Sequence, residues 1–210
     1  MAETVWADWH DYIIPSIPGA PVALVDVELR NAARELFKRS RMWRRRLDRQ
    51  DLIAGQMEYP MIAPDGADIV RLETVWVHGR ELRVVPISDI DRDPDDYEGT
   101  SVEFVTFEVP EVVMLVPRPT ADASAALRFR VSLMPSETAT GIPGEMAAKT
   151  REAIKIGAMA RLQLMDKKPW TNLPLGSAAQ MAFDEHVATL HLQAMRAEGG
   201  GRVRGKPMWF

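Results

Sequence analysis

Residues 69–85, which read IVRLETVWVHGRELRVV, predict a β-hairpin in the middle of the chain. Residues 69–77 are rich in Val, Ile, Leu and Trp, the tripeptide at 78–80 supplies a turn, and residues 81–85 form the returning strand. This two-residue period contrasts with the helical period on either side. The hairpin therefore predicts a β domain inserted between helices.

The strand predicted at residues 127–133 is half-buried. Its apolar side chains alternate with two arginines, Arg128 and Arg130, and a serine, so one face is apolar and the other basic. Five or so strands are predicted between residues 51 and 135. They are the two strands of the hairpin, the strand at residues 127–133, and two more at residues 102–107 and 112–116.

Three amphipathic helices are predicted outside this block. The first covers residues 22–40, the second runs from Pro143 to about Met165, and the third starts at Pro174. Small residues such as Gly157 in the second helix let another helix approach closely. We predict an α+β fold: a three-helix bundle with an inserted antiparallel β domain and extended N- and C-terminal arms. The predicted division is an arm at 1–20, a bundle at 21–50 and 136–198, a β domain at 51–135 and a docking tail at 199–210.

The composition is that of an ordinary globular protein with one good core. Of the 210 residues, 46% are hydrophobic and 27% charged, and no apolar run approaches the roughly 18 residues of a membrane helix. The absence of cysteine excludes disulfides and zinc–sulfur sites. A net charge of −4 argues against a general DNA-coating protein, which would be basic.

Charge is unevenly distributed along the chain. Residues 34–49 contain eight cations against two acids, whereas residues 89–98 contain six acids against one arginine. Opposite patches predict pairing between copies in a ring, and the negative net charge favours this over a nucleic-acid contact by residues 41–46. Two solvated surface segments remain the alternative. The predicted subunit-interface residues are Arg44, Arg45, Arg46, Asp91, Asp93 and Asp95.

The sequence finishes with residues 199–210, GGGRVRGKPMWF. A glycine-rich terminus frays unless something holds it, because fixing each backbone residue costs about 1–2 kcal/mol. The apolar end beside three cations suits a pocket on a partner. The alternative is that the tail folds back on its own domain or sits in a lattice contact. The predicted docking residues are Arg202, Arg204, Lys206, Met208, Trp209 and Phe210.

Signatures of catalysis and ligand binding are weak. The four histidines are scattered, and no Gly-x-Ser-x-Gly elbow is present. Residues 200–206 match a phosphate-loop pattern formally, but Pro207 replaces the required Ser or Thr. Residues 89–100 differ from a calcium loop because Pro94 takes the glycine position and Thr100 that of the glutamate. We predict no enzyme activity, no cofactor and no metal site.

The chain resembles the head-to-tail adaptor (connector) proteins of tailed bacteriophages, including the tail tubular A proteins of short-tailed phages. The likeness lies in the order helix, β block, two helices, tail. It also lies in three stretches that cover about a third of the chain. They are 25–43 (VDVELRNAARELFKRSRMW), 71–83 (RLETVWVHGRELR) and 134–172 (MPSETATGIPGEMAAKTREAIKIGAMARLQLMDKKPWTN).

The resemblance implies a structural protein of the virion neck, assembled in the host cytoplasm. Its subunits would form a dodecameric ring under the portal protein, with the tail at 202–210 reaching onto the portal and a downstream tail or nozzle protein below. DNA would pass through the channel without sequence-specific binding, and no membrane would be involved. The family has no catalytic residues to transfer.

Two other functions compete with the adaptor. The first is a different neck component, such as a stopper or a tail-completion protein. The second is an enzyme, for instance a hydrolase acting during genome entry or release. The enzyme lacks support because no acid/base pair or nucleophile occurs at a recognisable spacing.

Overall fold

The helices and strands of the chain fall into two compact units. The computed structural model describes residues 3–90, 93–97, 99–107 and 111–198. The described residues up to Trp43 and from Met134 onward make the helical unit, and those from Arg44 to Leu133 make the sheet unit. Residues 44–50, which the sequence assigns to the helical bundle, lie in the sheet unit. The predicted docking tail lies outside the described residues.

The helical unit contains the three predicted long helices. Its helices are α1 (His10–Ile13), α2 (Val22–Ser40), α3 (Gly144–Gln163) and α4 (Leu173–Glu198). Its strands β1 (Glu3–Val5) and β10 (Gly141–Pro143) pair antiparallel. Helix α2 ends at Ser40 and is followed by the capping residue Arg41, whose φ of 51° is left-handed. The predicted apolar stripe of α2 is buried except for Val22, and the buried members are Val25, Leu29, Ala32, Ala33 and Leu36.

Gly157 of α3 lies where α2, α3 and α4 pack together. A Cβ atom at this position would lie 2.7 Å from the ring of Phe183 on α4 and 3.1 Å from Ala32 on α2. Real Cβ contacts are not this short, so only glycine fits without displacing its neighbours. The prediction that small residues on this helix permit close approach is confirmed.

The amino-terminal segment is packed into the helical unit, so the predicted extended arm is wrong. Residues Trp6–Trp9 and Ile14–Ser16 form 3-10 turns on either side of α1. Trp6 and Trp9 are 3% and 1% exposed. Trp6 Nε1 donates to the carbonyl of Ala139 at 2.8 Å, and the Arg151 guanidinium lies 5.8 Å from the centre of the Trp9 ring. Burial of two indoles holds the segment in place.

The sheet unit is built on a large curled sheet. Within the described residues it has eight strands in the order β2-β9-β5-β6-β7-β8-β4, with β3 also on β9. The predicted hairpin is confirmed as β5 and β6, which turn at His78 and Gly79 with positive φ. The strands are β2 (Arg44–Arg46), β3 (Gln50–Leu52), β4 (Glu58–Pro60), β5 (Ala67–Val77), β6 (Arg80–Val84), β7 (Phe104–Thr106), β8 (Val112–Val116) and β9 (Ala123–Pro135).

Strand β9 separates the apolar core of the sheet unit from a basic outer surface. Leu127, Phe129 and Val131 are fully buried, whereas the alternate residues Arg128 and Arg130 are half-buried. The predicted basic face of this strand is confirmed. Arg44 and Arg46 of β2 extend that face, because they pair in register with Ser132 and Arg130 of β9.

The predicted fold class, a three-helix bundle with an inserted antiparallel β domain and extended arms, is wrong. The described part of the chain is a mixed fold with four helices and a large curled sheet. Strands β6 and β7 run parallel, which a hairpin turn cannot produce, so a purely antiparallel sheet is excluded. Strands β2, β3 and β4 have only three residues each, too few to show an alternation in the sequence.

Candidate binding surfaces

A cleft rich in arginine opens on the sheet unit and has a volume of about 550 Å³. We call it the arginine cleft. Its side chains include three guanidinium groups, one imidazole and one indole. They belong to Arg46, Arg49, Arg128, His78 and Trp76. Such a set suits an anionic ligand with a planar group, since guanidinium pairs with phosphate or carboxylate and both it and indole stack on rings.

The sheet order brings these residues together. Arg46 on β2 pairs in register with Arg130 on β9, and β9 lies between β2 and β5, which carries Trp76. His78 lies in the β5–β6 turn. Neighbouring strands are about 4.8 Å apart, so side chains on the same face of three adjacent strands reach a common cleft.

Asp51 stabilises the backbone conformation at the rim of the arginine cleft. Its carboxylate accepts hydrogen bonds from the backbone N–H of Ala125 at 2.6 Å and from the hydroxyl of Ser124 at 3.0 Å. These bonds lower the pKa of Asp51, the backbone bond to Ala125 more than the bond to Ser124. Ala125 has a left-handed φ of 50°, and the bond from Asp51 supports that conformation.

The arginines of the basic face differ in their partners. Arg44 and Arg130 already take part in interactions. Within the described parts of the chain, Arg46, Arg49 and Arg128 have no carboxylate within ion-pair distance. Arg128 Nε is buried and has no hydrogen-bond acceptor among the described residues. A buried donor without an acceptor costs stability, so this geometry is typical of a donor whose hydrogen-bond acceptor is supplied by a ligand.

Arg46 and Trp76 form a stacked pair inside the arginine cleft. The guanidinium carbon of Arg46 lies 5.5 Å from the centre of the Trp76 ring, within the range of a cation–π interaction. The indole therefore orients the guanidinium without neutralising its charge. A second cleft of about 260 Å³ also includes Arg46 and Arg49, so the cationic surface continues beyond the first.

Helix α4 is apolar on two sides. Its inner side buries the predicted stripe that includes Phe183 and Val187. On its outer side, Met181 is 69% exposed, Leu192 55% and Met195 45%. Exposed apolar side chains gathered on one face indicate a protein contact. The outer positions recur at alternating steps of three and four residues, at Ala178, Met181, Glu185, Ala188, Leu192 and Met195.

Predicted interface residues lie in different settings. Arg44 is half-buried, whereas Arg45 and Arg46 are exposed on β2. Asp93 is exposed, and Asp95 belongs to a 3-10 turn at Pro94–Asp96, with its side chain outside the description. Asp91 lies outside the described residues. So do all six predicted docking residues, Arg202, Arg204, Lys206, Met208, Trp209 and Phe210. The subunit contact and the portal contact both stay predictions.

Residues 3–90, 93–97, 99–107 and 111–198 contain no group of three or more His, Asp or Glu placed to hold a metal ion. None of the helices in these ranges combines the length and apolar character of a membrane span. His10 instead hydrogen-bonds Asp26 at 2.6 Å, and His191 lies 3.3 Å from the carbonyl of Ser40.

Sequence reasoning found parts of the arginine cleft but not the cleft itself. The arginine run and the basic face of β9 were both visible as patterns. Arg49 belongs to the predicted cationic segment, but Trp76 and His78 gave no signal of a shared site, because nothing in a single sequence shows that β2 and β5 flank the same strand. No family model matches the chain, and no curated protein is significantly similar to it.

Proposed function

We propose that the protein is a structural head-to-tail adaptor of a tailed bacteriophage. It would form a ring beneath the portal protein, extend the DNA channel and join the portal to the tail. The observation that carries the proposal is the outer face of α4, on which Met181, Leu192 and Met195 are exposed. A helix that is apolar on both sides has one face for its own core and one for a neighbour.

The chain order supports the same proposal. Both ends of the described chain build the helical unit, and the middle builds the sheet unit. This is the order helix, β block, two helices on which the resemblance to adaptors rests. The exposed charges of Arg45 and Asp93 supply groups for the predicted contact between subunits, in which electrostatic complementarity sets register more than affinity.

The proposal is tested by mixing the purified protein with portal assemblies and imaging the mixture by electron microscopy. We expect a stacked ring on the portal with the full chain and no ring after removal of residues 206–210, because these residues are predicted to dock. Circular dichroism serves as the control that the shortened chain still folds. Persistent monomers that never dock would contradict the adaptor function, and unchanged docking of the shortened chain would contradict the role of the tail.

A further inference from the structure

We propose that the arginine cleft binds single-stranded nucleic acid. Arg46, Arg49 and Arg128 hold backbone phosphates, and one base stacks on the pair formed by Arg46 and Trp76. This inference does not rest on the adaptor function. It stands on the geometry of one cleft within the sheet unit, and it would hold for any protein with the same cleft.

The charge of the cleft favours a phosphate backbone. Three guanidinium groups converge on it, and none has a carboxylate partner in the described ranges of the chain. Arginine binds phosphate through two parallel N–H···O bonds, and the buried Arg128 Nε is a donor still in need of an acceptor. The negative net charge, from which a protein contact is predicted for residues 41–46, acts only weakly at this cleft, because charges beyond about 8–10 Å are screened at physiological salt.

The aromatic group distinguishes nucleic acid from an acidic peptide. A peptide of Asp and Glu satisfies guanidinium groups but has no planar ring for Trp76. A base stacks on indole or on the plane of a guanidinium, and Arg46 already lies 5.5 Å from the indole centre. Stacking requires a base that is free of the duplex, so the cleft selects a single strand.

The size and continuation of the cleft fit more than one nucleotide. A volume of about 550 Å³ is within the 300–1,000 Å³ range of small-ligand pockets, which suits one nucleotide. Arg46 and Arg49 are shared with the second cleft of about 260 Å³. A strand whose base occupies the first cleft can therefore continue along cationic surface into the second.

The test measures fluorescence anisotropy of labelled probes with the full-length protein. The probes are a single-stranded oligonucleotide of about ten nucleotides, the matching duplex, and a peptide with the acidic sequence of residues 87–98. Three variants are compared with the parent: the double variant Arg46→Gln/Arg49→Gln, Trp76→Leu, and the control Arg83→Gln. Arg83 is exposed on β6 and belongs to neither cleft. Circular dichroism verifies that each variant folds.

We expect the single strand to bind more tightly than the duplex or the peptide. Trp76→Leu should weaken binding of the single strand about tenfold or more, since loss of one stacked base has that effect. The double arginine variant should also reduce the salt dependence, by about 0.7 in log–log slope for each phosphate lost. Arg83→Gln should leave binding unchanged. Tighter binding of the peptide, equal binding of the duplex, or equal loss with Arg83→Gln would each overturn the proposal.

Discussion

The helical unit and the sheet unit use arginine in opposite ways. In the helical unit, Arg30 donates to the carbonyls of Ala139 and Glu137 at 3.0 and 2.8 Å, and Arg34 donates to the carbonyl of Pro135 at 2.6 Å. In the sheet unit, the arginines of the cleft have no such partner within the described residues. They are Arg46, Arg49 and Arg128.

The difference shows how the same residue type serves structure or binding. Residues 135–139 lead from β9 toward β10, and their carbonyls lack a regular ladder, so donors from α2 satisfy them. On the outer face of the sheet, Arg44 and Arg130 have partners, whereas Arg46, Arg49 and Arg128 keep hydrogen-bonding capacity for a ligand among the described residues. Partners, rather than the number of cations, therefore distinguish a structural arginine from a binding one.

The largest expected effect is a loss of stability when helix packing in the helical unit is disturbed. Gly157→Leu should lower the free energy of unfolding by about 3 kcal/mol, because its side chain would enter the space occupied by the Phe183 ring. Urea denaturation followed by circular dichroism measures the loss. The matched control is Ala188→Leu, which places the same side chain at an exposed position of α4 and should change stability by less than about 0.5 kcal/mol. Equal effects of the two substitutions would show that the helices are not closely packed at Gly157.

A medium effect sharpens the contrast between the two kinds of arginine. Arg30→Met should cost about 1–2 kcal/mol, since it removes donors to two backbone carbonyls. Arg49→Met should cost less than about 0.5 kcal/mol, because this exposed residue has no partner to lose among the described residues. Denaturant titration of both variants provides the measurement. Similar losses for the two would remove the distinction on which the comparison rests.

The smallest effect concerns one carboxyl group in each unit. In the helical unit, a hydrogen bond from Arg39 at 2.5 Å is the main cause that lowers the pKa of Asp184. In the sheet unit, the pKa of Asp51 is lowered by neutral donors. Both folded-state values lie below the ordinary 3.8, so each group stabilises the fold above that pH and loses its contribution as the pH falls through the folded-state pKa.

Salt should separate these two carboxyl groups. At about 1 M salt the Debye length falls to about 3 Å, which weakens the attraction between the half-exposed charges of Arg39 and Asp184. The pKa of Asp184 should therefore rise, and that of Asp51 should stay nearly unchanged. Carbon-13 NMR titration of the carboxyl resonances measures both values in one sample. A parallel rise at Asp51 would mean that a charged group, rather than the N–H of Ala125, sets its pKa.

The long elements of the fold could be predicted because each has a pattern of its own. Helix α2 and the β5–β6 hairpin follow from apolar periodicity and from a turn that tolerates positive φ. The three-residue strands could not be predicted, since β2 consists only of arginines and its pairing with β9 uses backbone groups alone. The amino-terminal segment was misread because its Trp and Pro content resembles that of an extended arm.

The candidate binding surfaces could be predicted only in part. The basic face of β9 follows from alternation, because side chains of a strand point to opposite faces in turn. The stacking of Arg46 on Trp76 could not be predicted, since the two residues are thirty positions apart in the chain and no local pattern links them. The core-facing stripe of α4 could be predicted, but the exposure of Met181, Leu192 and Met195 on its other side needed the structure.

Local chemistry by itself determined where helices and the hairpin form, which strand face is basic, and that the chain has no cysteine chemistry. Only the tertiary structure decided which strands are neighbours, that β6 and β7 run parallel, and which arginines have partners. The physical reason is the distance along the chain over which each effect acts. Periodicity and turn preference act over a few residues, whereas strand order and the convergence of distant side chains depend on how the whole chain closes upon itself.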